Sequence, residues 1–324
     1  MGQYIIRRLI QAVPLLLVIS IIVFGLLQTA PGGPMGAYVR RGNFSEEDLR
    51  RVEENLGLNA PVYVQYGKWL GKVVRLDFGQ SLSERRPVTE AIWDRLPNTL
   101  YLMGIAWMIT ILIAIPIGII SALKQYSWFD HAVTGLTFVG QSVPIFWLGL
   151  ILILIFYMTL DNPFGGGSLL PAGGMYTLGQ DFSLWDRAKH LILPVIMLSA
   201  SWVAWYTRFL RASMLEVIHA DYVRTARAKG LREQVVVLRH IFRNAAIPLV
   251  TLMALDLPAI FAGALFTEVI FSWPGMGRLF FAAADRRDYP LLMAIIMITA
   301  TLIVLSNLLA DVLYSLLDPR IRYQ

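Results

Sequence analysis

The sequence predicts an all-α polytopic membrane protein with six transmembrane helices. Of its 324 residues, 56% are hydrophobic and 15% are charged, and the mean hydropathy is +0.59. Soluble domains carry about 25% charged residues, so much of this chain is solvated by lipid. A transmembrane helix needs roughly 20 apolar residues. Six stretches with at most one charged residue meet or approach that length: 9–39, 96–123, 132–160, 191–207, 244–267 and 289–310.

The first stretch is too long for the apolar core of a cleaved leader, which has about 7–15 residues. We therefore expect residues 1–30 to form an N-terminal transmembrane helix, anchored by two arginines near its start. The shortest stretch, 191–207, needs flanking residues such as His190 and Arg208 to reach both interfaces.

The distribution of Lys and Arg predicts that both termini lie inside the cell. With the N-terminus inside, the short inner segments hold 13 basic residues and the short outer loops hold 5, while the long segment 40–95 holds the other 10. Cytoplasmic loops of membrane proteins carry an excess of Lys and Arg. The opposite orientation would place the most basic short loop, 208–243, outside.

Residues 31–95 are predicted to form an extracytoplasmic loop region with short helices. Consecutive Gly and Pro at Pro31–Pro34 end the first helix. Acidic residues after Ser45 favour a short helix that ends near Leu56. The stretch 63–74 is amphipathic, with Trp69, Leu70 and Val73 able to lie in the membrane interface. We expect this region either to cover the outer face or to dock a partner.

The most distinctive segment is DYVRTARAKGLREQVVVLRHIFRNAAIP, residues 221–248. Asp221 is suited to cap the start of a helix, and Tyr222–Lys229 provide about two turns. Gly230 is suited to the position after a helix, where φ is positive. A capped helix in a basic loop favours docking of a soluble partner. The alternative is a polybasic loop held against anionic lipid headgroups.

A second helix follows Gly230. Its predicted apolar face carries Val235, Leu238 and Phe242, and another face carries Arg239 and Arg243.

Polar residues inside the spans are candidates for lining a translocation path. Asp256 lies in the fifth span, where a carboxylate is costly and should face a cavity or a partner. The alternative is a structural hydrogen bond or ion pair at a subunit interface. The other candidates are Gln141, Ser142 and Asn307, and prolines 144, 194 and 258 are expected to kink their helices.

Two segments are predicted on the outer face. Residues 272–277 (SWPGMG) form a tight turn between the fifth and sixth spans, with Pro274 and Gly275 supplying its geometry and Trp273 lying in the interface belt. The Gly-rich loop 161–188 is the second candidate contact surface.

The sequence carries no signature of catalysis. It contains no G-x-x-x-x-G-K-[ST] phosphate loop, no H-E-x-x-H and no G-x-S-x-G, and its four histidines are scattered. The absence of cysteine excludes disulfides and Cys-based metal or redox sites. We therefore predict no catalytic residue, no metal site and no cofactor on this chain.

Several segments together resemble one family. They are MGQYIIRRLIQAVPLLL at the start, LDFGQS (Leu76–Ser81), LPNTL (Leu96–Leu100), Ala212–Leu231, EVIFSWPGMG (Glu268–Gly277) and LLDPRIR at the end. On these residues the chain resembles the inner-membrane permease subunits of ABC importers in the dipeptide/oligopeptide branch. The resemblance runs along nearly the whole chain. It implies a permease core over 96–317, a cytoplasmic coupling element over 214–243 and a cytoplasmic tail over 318–324.

The resemblance also implies which residues meet the ATPase. The family's coupling motif has an acid-Ala-Ala triplet, three spacers and a glycine. Here the triplet falls on Arg224, Thr225 and Ala226 and the glycine on Gly230, so a basic residue replaces the acid. The implied coupling residues are Asp221, Tyr222, Arg224, Thr225, Ala226, Arg227, Lys229 and Gly230. By the same resemblance Trp273, Pro274 and Gly275 lie near an external gate and the docked binding protein.

The implied partners are a second homologous permease, two ATPase subunits that bind ATP and Mg, an extracytoplasmic solute-binding protein and membrane lipid. The net charge of +6 reflects topology and does not argue for nucleic acid. The implied location is the inner membrane of a bacterial or archaeal cell.

The sequence is compared with three classes of membrane-protein function. The first is an ABC import permease for peptides, or the same architecture for glutathione, a nickel chelate or an oligosaccharide. The second is an ion-coupled secondary transporter, which would show internal repeats and ionisable pairs at the midplane; here only Asp256 is central. The third is a membrane-embedded enzyme or scaffold, which the missing motifs disfavour.

Overall fold

The computed structural model describes residues 2–29, 35, 47, 58–163, 165, 167–262 and 264–317. Helices account for most of these residues, and the described β structure consists of two isolated bridges, Gln80 with Pro87 and Asp161 with Ser168. The prediction of an all-α protein is therefore confirmed.

Eleven helices follow one another along the described residues. They are α1 (Gly2–Thr29), α2 (Val62–Val74), α3 (Val88–Leu123), α4 (Trp128–Ser142), α5 (Ile145–Ile153, continued by a π-helical turn at Leu154–Thr159), α6 (Leu184–Val217), α7 (Asp221–Ala228), α8 (Glu233–Val235, a π-helical turn at Val236–Phe242, and Arg243–Ala262), α9 (Leu265–Ile270), α10 (Met276–Asp285) and α11 (Tyr289–Leu317).

Among the residues that the structure describes, five helical segments are long and apolar enough to cross a membrane: Ile6–Thr29, Val88–Leu123, Leu184–Val217, Glu233–Phe261 and Tyr289–Asp311. The pair α4 and α5 passes the same test together, but the two helices bend by 101°. Counting this pair as one span gives the six that were predicted.

The third predicted span, 132–160, is thus broken. Val143 is extended, with φ −78° and ψ 123°, and Pro144 precedes the first residue of α5. The ring of a proline disfavours helical geometry in the residue before it, which explains the break at this point. Gln141 and Ser142 consequently lie at the end of the first half of the span.

The chain divides into two compact units. The first comprises Met1–Thr99, Phe261–Leu265 and Pro274–Leu308, and the second comprises Leu100–Ile260, Phe266–Trp273 and Leu309–Gln324.

In the first unit, α2 packs along α1. Tyr66 Oη lies 2.8 Å from Ser20 Oγ, and the Phe24 ring lies 5.6 Å from the Trp69 ring. The amphipathic helix expected over 63–74 is present, and its half-buried Trp69 faces α1. The short helix expected after Ser45 lies, apart from Glu47, outside the described residues.

The same unit contains a buried carboxylate at the start of α11. Asp288 is fully buried and accepts hydrogen bonds from Ser81 Oγ at 2.6 Å and from the Ser83 backbone N–H and hydroxyl at 2.7 Å each. Its other oxygen accepts the Leu291 N–H at 3.2 Å, which caps α11. Asp288 therefore anchors the turn before α3 while it begins the last helix.

The second unit is built around one large apolar cluster. Its buried members come from α3, α6, α7 and α8: Ala114, Ala122, Tyr206, Leu210, Met214, Val223, Ala226, Val236, Val237, Ile241, Ala245 and Leu249. The close approach of α3 and α6 depends on Gly118, where a Cβ would lie 3.1 Å from Leu210 Cδ2.

The apolar face predicted for the start of α8 is wrong at Val235 and Leu238, whereas its third residue, Phe242, packs against the apolar cluster. Val235 and Leu238 are 39% and 59% exposed, whereas Val236, Val237 and Ile241 are buried. The cause is the π-helical turn, in which each hydrogen bond joins residues five apart in the sequence and not four apart as in an α-helix. The buried face therefore rotates relative to an α-helical pattern.

Candidate functional site

The short helix α7 begins one residue later than its cap was predicted. Ala220 is the N-cap residue, so Asp221 is the first helical residue, where its charge favours the helix dipole. The prediction that Asp221 caps the helix is therefore wrong by one position. Its side chain is 96% exposed and lies 3.5 Å from Arg224, an exposed pair that contributes little to stability.

The end of α7 is closed as predicted. Lys229 is the C-cap residue and Gly230 has a φ of +73°. The Gly230 N–H donates to Arg227 O at 2.9 Å and the Leu231 N–H donates to Ala226 O at 3.4 Å. These two bonds form the paired pattern of a Schellman motif, which requires a left-handed residue at Gly230.

Two side chains fix α7 to the bundle. Val223 is fully buried and Ala226 is 4% exposed, and both belong to the apolar cluster of α3, α6 and α8. A third link joins Arg227 to Glu233 at the start of α8, with Nη2 2.8 Å from Oε1. This hydrogen bond raises the pKa of the Arg227 guanidinium. The side of α7 that faces the bundle is thus fixed by packing and by a link to α8.

The rest of α7 forms an exposed surface. The predicted coupling residues divide accordingly: Ala226 lies beneath the helix, and the exposed ones are Asp221, Tyr222, Arg224, Thr225, Arg227, Lys229 and Gly230. A two-turn helix that buries two side chains and presents a polar, mostly basic face is suited to receive a soluble partner.

The predicted path residue Asp256 has an internal partner. Tyr206 Oη donates to Asp256 Oδ2 at 2.7 Å. Tyr206 is 1% exposed and belongs to the apolar cluster that also contains Val223 and Ala226. Asp256 itself is half-buried on α8. The carboxylate is therefore linked through one side chain to the cluster on which α7 rests.

Gln141 and Ser142 lie at the break between α4 and α5. Gln141 is exposed, and its Oε1 accepts a hydrogen bond from Arg208 Nη2 of α6. Ser142 donates to the Phe138 carbonyl at 2.8 Å. Asn307 is exposed on α11, in the first unit.

Trp273 does not lie in an exposed interface belt as predicted. It is fully buried and stacks on Tyr101 of α3, with ring centroids 6.4 Å apart. Its backbone N–H donates to Glu268 O at 2.8 Å, and the preceding Ser272 has a φ of +49°. This tight turn directs the indole into the protein, so its burial is decided by the backbone and not by its affinity for the interface.

Pro274 and Gly275 connect to α3 within the first unit. Asn98 Nδ2 donates to the Pro274 carbonyl at 2.9 Å, and Thr99 Oγ1 accepts the Met276 N–H at 2.7 Å. Gly275 is the N-cap residue of α10. The sequence pattern of this segment predicts only a turn, whereas the structure has helices α9 and α10 on either side of it.

The Gly-rich loop 161–188 packs against the end of α9 in the second unit. The Gly174 N–H donates to the Phe271 carbonyl at 2.7 Å, and a Cβ on Gly173 would lie 2.3 Å from the same oxygen. Only a glycine fits at residue 173. The structure therefore brings this loop next to the segment that leads to Trp273.

Comparisons with known proteins decide the family. Residues 114–323 match the family described as the inner membrane component of binding-protein-dependent transport systems, and residues 1–103 match the N-terminal region of such membrane components. This chain belongs to that family.

The inner membrane component is similar over its full length to curated relatives. It is 44% identical to the oligopeptide transport system permease protein AppB of Bacillus subtilis, with all of both chains covered. It is 40% identical to the dipeptide transport system permease protein DppB of Alkalihalophilus pseudofirmus and 37% identical to that of Escherichia coli K12, again over all of both chains. It is a multi-pass inner membrane protein.

One polar cluster of this inner membrane component was not among the residues predicted from the sequence. Asp130 is 2% exposed near the start of α4 and accepts two bonds from Arg211 of α6, from Nε at 2.6 Å and from Nη2 at 2.7 Å. Ser121 Oγ and the Tyr126 N–H donate to the same carboxylate. The sequence signal was present: Ser127 and Asp130 have the S-x-x-D spacing of a helix start, and the Ser127 hydroxyl accepts the Asp130 N–H.

Proposed function

We propose that this inner membrane component is a permease subunit of an ATP-driven importer and forms half of a transmembrane pathway for peptides. Its relatives are named as oligopeptide and dipeptide transport permeases. The observation that carries the proposal is α7: a capped helix with a mostly polar, basic exposed face, seated by Val223 and Ala226 on the core of the bundle.

The proposed partners follow from this arrangement. The exposed face of α7 meets an ATPase subunit in the cytoplasm, and a second homologous permease with its own ATPase completes the transporter. ATP and Mg are bound by the ATPases, since this sequence has no phosphate loop. An extracytoplasmic binding protein delivers the peptide near Trp273, Pro274 and Gly275.

The packing beneath α7 provides a route for force. Closure of the ATPases around ATP displaces α7, and α7 carries with it the apolar cluster into which Val223 is packed. Closely packed interiors transmit such displacements because they have few voids. The cluster includes Tyr206, whose hydroxyl holds Asp256 at 2.7 Å. Movement of α7 thereby reaches a carboxylate inside a membrane span.

Co-purification and uptake test the proposal. Arg224→Glu reverses one charge on the exposed face of α7. The Arg224 side chain is 72% exposed, so replacing it does not disturb the core. We expect this variant to reach the membrane, to retain less ATPase after purification and to lose ATP-driven peptide uptake in proteoliposomes without an ion gradient. Lys72→Glu, which also replaces a positive charge by a negative one but on an exposed residue of α2, is the matched control.

Retention of the ATPase and of uptake by the Arg224→Glu variant would refute the docking role of α7. Uptake that requires an ion gradient and not ATP would refute the importer.

Orientation is tested separately with single cysteines. The sequence contains no cysteine, so an introduced one is the only site for a maleimide. Thr225→Cys on α7 should react with a membrane-impermeant maleimide only after the cells are opened, and Tyr63→Cys, at a residue 76% exposed on α2, should react in intact cells. The reverse pattern would contradict the orientation.

A further inference from the structure

The cation Arg208 lies within Leu184–Val217, one of the segments long and apolar enough to span a membrane. Arg208 belongs to α6, and at 1.5 Å per residue its Cα lies about 14 Å from the helix's last residue, Val217. Because α6 has 34 residues and is about 51 Å long, Arg208 lies near the C-terminal end of the span, directly after the charge-free stretch 191–207, and its side chain is half-buried.

The surroundings of Arg208 differ from those of Arg211, one turn further along the same helix. Arg211 holds both oxygens of Asp130. In the part of the chain that the structure describes, Arg208 forms no ion pair; it donates to Gln141 Oε1, and its guanidinium carbon lies 5.1 Å from the centre of the Phe138 ring. A guanidinium has five N–H donors in a planar fork, so one bond to an amide leaves most of them for another acceptor.

An open apolar hollow adjoins this cation at the break between α4 and α5. Its volume is about 490 Å³, and it is lined by Phe138, Val139, Ser142, Val143, Pro144, Phe146 and Trp147. Small-molecule sites typically measure about 300–1,000 Å³ and combine apolar walls with a few polar groups. Phe138 belongs both to this hollow and to the stack with Arg208.

We propose that Arg208 and Gln141 bind the C-terminal carboxylate of the transported peptide while the hollow accepts its apolar side chain. A guanidinium binds a carboxylate through two parallel charge-assisted bonds, which suits a planar anion better than any neutral group. The Phe138 ring and the Gln141 amide hold the fork in place before the peptide arrives. This inference rests on the proposed function, since it concerns the peptide that the permease carries.

The test compares one peptide in two forms, Ala-Phe as the free acid and as the C-terminal amide. The binding protein has its own preference between the two forms, and that preference is the same for every permease variant. It therefore cancels when the uptake of each form by a variant is divided by the uptake of the same form by wild type. We expect Arg208→Gln to lower uptake of the free acid about tenfold or more, because it removes the charge-assisted bonds to the carboxylate. Uptake of the amide should stay within about twofold of wild type.

Arg208→Lys keeps the charge but not the fork, and we expect it to reduce uptake of the free acid more than that of the amide, though less than Arg208→Gln does. It also keeps the test decisive if Arg208→Gln fails to reach the membrane. Lys189→Gln is the matched control: Lys189 is a cation on the same helix that also lies over an aromatic ring, 5.7 Å from that of Trp185. It should change uptake of both forms equally.

Equilibrium dialysis of the purified transporter without its binding protein provides a second measurement, in which wild type should bind the free acid more tightly than the amide.

Equal losses of uptake for the free acid and the amide in Arg208→Gln and Arg208→Lys would overturn the inference and assign Arg208 to packing or to the second permease. Wild-type protein that imports neither form would instead overturn the proposed function.

Discussion

Arg211 binds both carboxylate oxygens of Asp130, with Nε 2.6 Å from Oδ1 and Nη2 2.7 Å from Oδ2. Asp130 is almost wholly buried and Arg211 is 23% exposed. The pair joins the start of α4 to the C-terminal part of α6, the helix that leads into α7. Its geometry satisfies the carboxylate, which also accepts bonds from Ser121 and Tyr126.

The first prediction concerns this pair. Arg211→Leu leaves a buried charge without its partner, and we expect it to destabilise the second unit by about 3–5 kcal/mol. The double variant Asp130→Leu/Arg211→Leu should recover part of that loss, because apolar residues often replace a buried ion pair at little cost. The midpoint of thermal unfolding in detergent measures both effects.

The control for this pair is Asp221→Asn, at a carboxylate 96% exposed on α7, which should leave the midpoint almost unchanged. A single Arg211→Leu variant as stable as wild type would show that the pair does not hold α4 to α6.

The second prediction concerns the left-handed residue that ends α7. Gly230 has a φ of +73°, and a Cβ at this position would meet no other atom within 4 Å. The cost of substitution is therefore conformational, about 1 kcal/mol or more for a β-branched residue. We expect Gly230→Val to loosen the end of α7 and to lower uptake per ATP hydrolysed in proteoliposomes.

Gly230→Asn is the informative comparison, since asparagine adopts left-handed geometry more readily than other residues. It should retain most of the coupling between hydrolysis and uptake. Equal coupling in the valine and asparagine variants would show that the closed end of α7 is irrelevant to transport.

The third prediction concerns the contact between the Gly-rich loop 161–188 and Phe271, the residue that follows α9. A Cβ on Gly173 would lie 2.3 Å from Phe271 O, closer than any real contact, and the neighbouring Gly174 N–H bonds to the same oxygen. We expect Gly173→Ala to displace this loop and to lower the midpoint of thermal unfolding.

Gly67→Ala on α2 is the control for the loop variant, because no atom lies within 4 Å of a Cβ there and alanine favours a helix. It should leave the midpoint unchanged or raise it. A Gly173→Ala variant that matches this control would mean that the loop does not pack on Phe271.

Much of the architecture could be predicted because the hydrocarbon of the bilayer restricts the backbone conformations that a spanning segment can adopt. Backbone groups in hydrocarbon must pair within the segment, so long stretches free of charge become helices. The helix α7 was predicted for a different reason: local residues determine its ends, and Gly230 alone dictates a left-handed turn. Both signals lie within a few positions of the structure they specify.

Other features depended on contacts distant in sequence. The π-helical turn in α8 rotates the buried face onto Val236, Val237 and Ile241, which a regular period cannot anticipate. Trp273 is buried because a strained turn at Ser272 directs it onto Tyr101. Similarly, Asp288 pairs with Ser81, 207 positions away.

The sequence by itself determined the membrane class, the helical content and the existence of a capped basic helix, because hydrophobicity, charge and capping act over one or two turns. Only the tertiary structure decided which side chains meet: Tyr206 with Asp256, Arg211 with Asp130, and Arg208 with Gln141. The physical reason is that such pairs form between different helices, and their partners are fixed by how the helices pack and where their backbones break.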